Sequence, residues 1–405
     1  MEINQHNYIK RKEYLEKIIP FINKNLIKVL VGQRRVGKSY LLFQIMDIVK
    51  LKFKNPNIIY INKEHYEFDT IKTYKDLIKF VESKKRKRKI NYLFIDEIQD
   101  ILEFERALRH FVLDGKIDIY CTGSNANLLS GELATFLSGR YIEFKVYGLS
   151  YLEFIDFHSL ENNTESLKKY IRWGGLPFLK NLEKKDEVIS EYLKNIYSTI
   201  IYKDIISRFQ IRNPAFLENL VRFLAANAGS IISAKKISDY LKSQKIKMSP
   251  QIILNYLNYL KQAFLIFEVK RADITSKKIF EIHEKFYFED WGILNSIIGF
   301  SAIDISKIIE NIVFIHLKIN GYEVMVGKSG EKEIDFIGEK TGHKIYIQVC
   351  YLIADEKVKL REFGNLMAIK DNYPKMVVSM DEYAPANIEG IRHVHLKDFL
   401  SKPLG

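Results

Sequence analysis

Residues 32–39 read Gly-Gln-Arg-Arg-Val-Gly-Lys-Ser, a full G-x-x-x-x-G-K-[ST] loop. Before it stands Leu26-Ile27-Lys28-Val29-Leu30-Val31, alternating and rich in β-branched residues; after it, Tyr40-Leu41-Leu42-Phe43-Gln44-Ile45-Met46 opens a helix. Strand, loop and helix in that order constrain the chain strongly. The two glycines let the backbone curl so that successive N–H groups face an anion, and the helix N-terminus adds a positive dipole. Lys38 is placed to reach the β- and γ-phosphates of a nucleotide, and Ser39 to sit on a Mg²⁺ ion. The expected nucleotide-binding set is therefore Gly32, Gln33, Arg34, Arg35, Val36, Gly37, Lys38, Ser39 and Tyr40. The bland alternative is a glycine-containing turn before a helix.

A second run, Ile90-Asn91-Tyr92-Leu93-Phe94-Ile95-Asp96-Glu97, is a buried-strand pattern ending in adjacent carboxylates. In P-loop proteins an Asp closing such a strand holds Mg²⁺, so Asp96 joins Ser39 as an expected metal residue. Glu97, directly after it, is placed to polarise an attacking water. Two surface acids at a strand end would be the structural alternative, but the strand is otherwise apolar. The pair points to ATP hydrolysis rather than ATP binding alone.

At 405 residues, with 47% hydrophobic and 13% aromatic content, the chain can hold two or three globular domains. A net charge of +13 favours an anionic partner such as nucleic acid, though an anionic membrane surface fits the number equally. Part of the excess is Lys84-Lys85-Arg86-Lys87-Arg88-Lys89, just before the Asp96 strand. A loop entering a parallel strand sits on the edge opposite the nucleotide, so this run reads first as a solvated loop and second as a contact to nucleic acid. Two cysteines, Cys121 and Cys350, make no disulfide framework, and no signal pattern or membrane-length apolar run is present. The expectation is a cytoplasmic protein.

The first part alternates strands and helices as a parallel α/β sheet does, with strands expected at 26–31, 57–61, 90–95, 118–122 and 141–146. Residues 150–230 turn helical, with a break at Arg172-Trp173-Gly174-Gly175-Leu176-Pro177. Residues 233–290 read helix, turn, helix, then two strands. Beyond 300 a helix at 306–319 precedes strands at 322–326, 333–337, 344–349 and 376–379. The fourth strand of the first part ends in Cys121-Thr122-Gly123-Ser124-Asn125, polar groups placed to hold the lytic water or the γ-phosphate. A helix expected at 127–137 ends in Ser138-Gly139-Arg140.

With those residues in place, the chain resembles the AAA+ superfamily, and within it prokaryotic AAA-type ATPases with an uncharacterised C-terminal region. Gly32 to Ser39, Ile95-Asp96-Glu97, Thr122-Gly123-Ser124-Asn125, Leu137-Ser138-Gly139-Arg140, Gly174-Gly175-Leu176-Pro177, Tyr202-Lys203-Asp204-Ile205, Glu310-Asn311-Ile312-Val313 and Glu333-Ile334-Asp335-Phe336 carry the likeness. The resemblance implies an α/β parallel-sheet P-loop AAA+ core at 1–150 and a helical lid at 151–232. It also implies Asn125 as a sensor, Arg140 as an arginine finger acting on a neighbouring subunit of a homo-oligomer, and Arg172 as a second sensor in the nucleotide set. A surface Arg favoured by a helix C-terminal dipole is the other reading of Arg140.

Residues 233–295 read as a winged helix. Ser249 can cap and Pro250 can start its second helix, with Ile252, Ile253, Tyr256, Leu257 and Leu260 as the apolar face. Gln251, Asn255 and Asn258 share a polar side that could pair with adenine or simply pack. Residues 296–405 resemble a restriction-endonuclease-like α/β domain, with Glu310, Asp335 and Gln348 at the places of its metal ligands. Gln348 replaces an acid and Cys350 the Lys, which points to a degenerate site unless Lys357 or Lys359 substitutes. Three functions follow: an ATP-hydrolysing protein whose C-terminal half binds DNA or a protein partner, an ATP-gated metal-dependent nuclease, or an ATP-binding assembly switch with little turnover.

Overall fold

The computed structural model describes residues 8–129, 139–243, 248–274, 279–300, 305–330 and 332–402. The expected helix at 127–137 and Leu137-Ser138 therefore lie mostly outside the described residues; Ala126–Leu129 forms a single turn. The chain divides into two compact units, residues 1–147 with 262–264, and residues 148–261 with 265–405.

In the first unit, β1 (Ile27–Val31), β2 (Asn57–Asn62), β3 (Asn91–Asp96), β4 (Ile117–Gly123) and β5 (Tyr141–Lys145) form one sheet in the order β2-β3-β4-β1-β5. Every pairing is parallel. Strands β1, β3 and β4 are buried at every position, and the charges that interrupt β1 and β4, Lys28 and Asp118, are buried as an ion pair with each other. β2 alternates buried and half-buried residues, as a flanking strand does. The chain leaves β1 on one side of β4 and enters β2 on the other, so the order reverses between β1 and β4. A parallel sheet has its ligand crevice at that switch point, at the carboxyl ends of the strands. The loop after β1 and the tips of β3 and β4 therefore share one edge.

The second unit begins with helices. Ser150 and Glu153 form a reciprocal capping box at Tyr151–His158, Asn163 caps Thr164–Trp173, and Asn213 with Pro214 starts Pro214–Ala226. The Asp186–Thr199 helix continues into a π-helical stretch, Ile200–Ser207, which contains Tyr202-Lys203-Asp204-Ile205. Gly174 has φ +84°, and a Cβ there would stand 2.5 Å from Asp290 Oδ1, so the close approach admits only glycine.

Nine further strands form one sheet: β6 (Ile231–Ile232), β7 (Ile266–Asp273), β8 (Ile279–Phe288), β9 (Glu323–Ser329), β10 (Lys332–Lys340), β11 (His343–Val349), β12 (Lys375–Ser379), β13 (Asn387–Ile388) and β14 (Ile391–His395). Their order is β13-β14-β12-β11-β10-β9-β7-β8-β6, so the β7–β8 hairpin of residues 233–290 joins the sheet of residues 300–400 through a parallel β7–β9 pairing. The Ala234–Ser243 and Pro250–Gln262 helices precede that hairpin. Ser249 accepts from the Ile252 N–H at 3.4 Å and Pro250 opens the second helix. Ile252, expected on the apolar face, is instead 40% exposed, whereas Ile253, Leu257 and Leu260 are buried.

Candidate functional site

The 32–39 loop is shaped by contacts its own sequence does not show. Gly32 runs so close to Val146 that a Cβ would sit 2.1 Å from the Val146 carbonyl oxygen. Gly37 takes a left-handed conformation (φ 98°) at the start of the Lys38–Lys52 helix. Arg11, 2% exposed, donates from Nη1 to the carbonyls of Val36 at 3.1 Å and Tyr147 at 2.9 Å, tying the loop to the N-terminal segment. A lone arginine in that segment carries no sequence signal for this role. Gln33 commits its side chain to the Phe264 carbonyl at 3.0 Å, and Arg34 pairs with Glu64 at 2.8 Å. Arg35 and Tyr40 are exposed.

Lys38 is 4% exposed, and its ammonium donates to the carbonyls of Gly32 (3.0 Å) and Gln33 (2.9 Å) while lying 3.8 Å from Glu97. The Ser39 hydroxyl bonds the Asp96 carboxylate. Thr122 links the acids: its hydroxyl donates to Asp96 and accepts from the Glu97 N–H at 2.9 Å. Burial raises the Asp96 pKa above the ordinary carboxylate value despite the hydroxyl bonds. Glu97 behaves oppositely. Burial would raise it, but the Lys38 charge, a Gln99 bond, Arg34 and a Ser124 bond together hold it below the ordinary value.

The Glu97 backbone is left-handed at φ 55°, an uncommon state for a residue with a Cβ and one that concentrates at functional sites. Its carboxylate accepts from Ser124 Oγ at 2.9 Å and Gln99 Nε2 at 2.5 Å. Asn125 follows Ser124, and its carbonyl accepts from Leu128 at 3.1 Å. Arg140 is exposed immediately before β5. Arg172 pairs with Asp186 at 2.8 Å and stands over the Phe300 ring at 5.3 Å.

An ammonium, a hydroxyl–carboxylate pair and an ionised carboxylate thus converge at one sheet edge, under a loop whose glycines leave backbone room. That donor set fits a polyphosphate and a divalent cation.

The second unit contains a different constellation. Lys285 on β8, 2% exposed at its side chain, lies 2.9 Å from Glu310, 2.9 Å from Glu333 and 3.2 Å from Asp335. Tyr287 donates to Glu310 at 2.6 Å. Asp335 also accepts from the Val349 N–H at 2.9 Å, and Gln348 Oε1 from the Asp335 N–H at 3.3 Å. The carboxylates hold the Lys285 pKa well above its ordinary value against the cost of burial. A Cβ on Gly229 would lie 3.0 Å from both Glu310 oxygens, so backbone covers the cluster. Cys350 is buried in the core, with its thiol pushed up to about 12 chiefly by burial. Lys359 pairs with Glu356 at 3.0 Å. The cation among the acids is thus Lys285, not Lys357 or Lys359. Asn311 binds Phe288 through both amide atoms (2.7 and 2.8 Å) and locks the Ile305–Ile319 helix to β8.

Residues 24–155 match the family described as AAA domain, and residues 164–304 match a domain of unknown function, DUF8612. An uncharacterized protein of Haemophilus influenzae is 36% identical over 400 residues, covering 97% of this chain and 98% of its own. The uncharacterized protein MJ1544 of Methanocaldococcus jannaschii is 33% identical over 394 residues, covering 92% and 84%. Among solved structures, the Aeropyrum pernix ORC1 protein in complex with DNA gives a TM-score of 0.34 at 11% identity, covering 72% of this chain and 92% of that one. At that score the superposition does not bear on function. Among the described residues no helix is long and apolar enough to cross a membrane.

Proposed function

The chain belongs to the family of its Haemophilus and Methanocaldococcus relatives, and its first unit, which matches the AAA domain over residues 24–155, has a P-loop AAA+ α/β fold; from that premise we propose that it hydrolyses ATP. One observation carries the reading: Glu97 is held ionised beside Lys38 and next to the Ser39–Asp96 pair. Lys38 would exchange the loop carbonyls for phosphate oxygens. Ser39 and Asp96 would hold Mg²⁺, which supplies charge neutralisation on the phosphates when bound. Glu97 would accept the proton of the attacking water, oriented by Ser124 and Gln99. Asn125 as sensor, and Arg140 and Arg172 as cations for the nucleotide, remain part of this proposal.

Glu97→Gln tests it. The variant should bind a fluorescent ATP analogue like the parent chain and release phosphate at least about a hundredfold more slowly. Turnover near the parent rate would remove Glu97 from the mechanism; absent turnover in both chains would favour an assembly switch.

For the second unit, we read residues 233–295 as a winged helix and 296–405 as a restriction-endonuclease-like module that binds a DNA or protein partner. The exposed amides Gln251, Asn255 and Asn258 support a recognition role. Lys285 supplies the cation a nuclease site would need among Glu310 and Asp335, but Gln348 stands where an acidic ligand would and its amide oxygen accepts from the Asp335 N–H, which weighs against cleavage. Plasmid incubated with Mg²⁺ or Mn²⁺ should stay intact.

A further inference from the structure

The basic run lines a cleft of about 1230 Å³ formed where β3 and β4 begin, the edge of the first unit opposite the nucleotide loop. Its backbone is pinned. Asn91, 3% exposed, accepts from the Arg86 N–H at 2.9 Å and donates to the carbonyls of Arg86 and Lys89 at 3.2 and 3.1 Å. Asn57, 8% exposed, donates to the Lys84 carbonyl at 3.0 Å and to Asn91 at 2.8 Å. Two buried amides therefore hold the loop, and its side chains are displayed from a fixed frame. A solvated loop needs no such anchoring.

The charges around the cleft do not cancel. Glu82 and Asp114 are taken by Lys85 at 2.9 and 2.6 Å, and Asp118 by the buried Lys28. Lys24, Arg86, Lys87, Arg88 and Lys89 line the same cleft and have no carboxylate partner among the described residues. Cations gathered in a concavity focus the field and raise the local concentration of a polyanion. The lining has no Phe, Tyr or Trp and a single imidazole, His110, so successive unpaired bases would lack the row of rings they stack on. A bilayer is flat and cannot enter a concave site.

We propose that this cleft binds the phosphate backbone of duplex nucleic acid, independently of base sequence. Its contacts would position the ATPase unit on a duplex, since contacts of this type fix register and carry no sequence information.

The test uses the full chain without nucleotide, so that its failure leaves the ATP-hydrolysis reading untouched. Anisotropy of a fluorescent duplex DNA is followed across a KCl series for the parent and for Lys87→Ala/Arg88→Ala. We expect affinity at low salt to fall at least tenfold, and the slope of log K against log salt to become shallower by about two, one counterion per lost cation. A Lys50→Ala/Lys52→Ala control, with equal charge removed elsewhere, should change neither, and melting curves should confirm that both variants fold. Unchanged affinity and slope in Lys87→Ala/Arg88→Ala would overturn the proposal. So would loss of binding to anionic vesicles or an acidic peptide with duplex binding retained.

Discussion

The ammonium of Lys285 lies 2.9 Å from Oε1 of Glu310, and the two come from different elements, β8 and the Ile305–Ile319 helix. This pair anchors a cluster that also takes in Glu333 and Asp335. Removing the cation leaves Glu310 and Asp335, 14% and 10% exposed at their side chains, uncompensated, the situation in which breaking a buried ion pair costs about 3–5 kcal/mol. Lys285→Met should therefore lose about that much in urea denaturation. Burial already raises the Glu310 pKa, so the deficit should shrink as pH falls and the carboxyl protonates. A loss under about 1 kcal/mol at neutral pH would mean that water reaches the cluster freely.

Ser124 and Gln99 are positioning residues for Glu97, acting through its carboxylate. Ser124→Ala/Gln99→Ala should lower kcat about a hundredfold, roughly tenfold for each of the two lost hydrogen bonds to a charged group, with KM for ATP nearly unchanged. Losing two donors also raises the Glu97 pKa. The acid limb of the kcat profile should accordingly move to higher pH, a shift that simple structural damage would not cause.

Arg140 should contribute only where subunits meet. Arg140→Ala keeps an intact pocket and Lys38→Ala an intact finger, so mixing them should restore activity above the sum of the separate chains. No recovery despite demonstrated co-assembly would leave Arg140 a residue of its own subunit.

Asp290 gives the fold a pH dependence away from the nucleotide. Burial raises its pKa to about 6, against backbone bonds from Gly175 and Ile293 at 2.7 and 2.9 Å. Between its ordinary value of 3.8 and about 6, the folded chain binds more protons at this site than the unfolded chain. The Asp290 contribution to stability is therefore fully present at low pH and declines as pH rises through that window. Asp290→Asn should flatten this component of a stability–pH curve measured by denaturant titration. An unchanged slope would assign the dependence to another group.

What the sequence by itself determined was contiguous. The phosphate loop, the apolar strand ending in Asp96-Glu97 and the alternation of strands and helices rest on neighbours in the chain, and the first five strands lie within a residue or so of their expected bounds. Spacing within one loop or strand is enough to specify such features. Tertiary structure decided whatever depends on residues distant in the chain. Lys285 meets Glu310 and Asp335 across 25 and 50 positions, and Arg11 reaches Tyr147 across 136. Ser124 reaches Glu97 only because β4 lies beside β3. The basic run read as a solvated loop because nothing within it shows the hold of Asn57 and Asn91. The glycines at 32 and 174 permit a close approach, but the fold selects the partner, Val146 for one and Asp290 for the other. Local propensity is written along the chain; which charges neutralise one another is decided by the sheet order that brings them together.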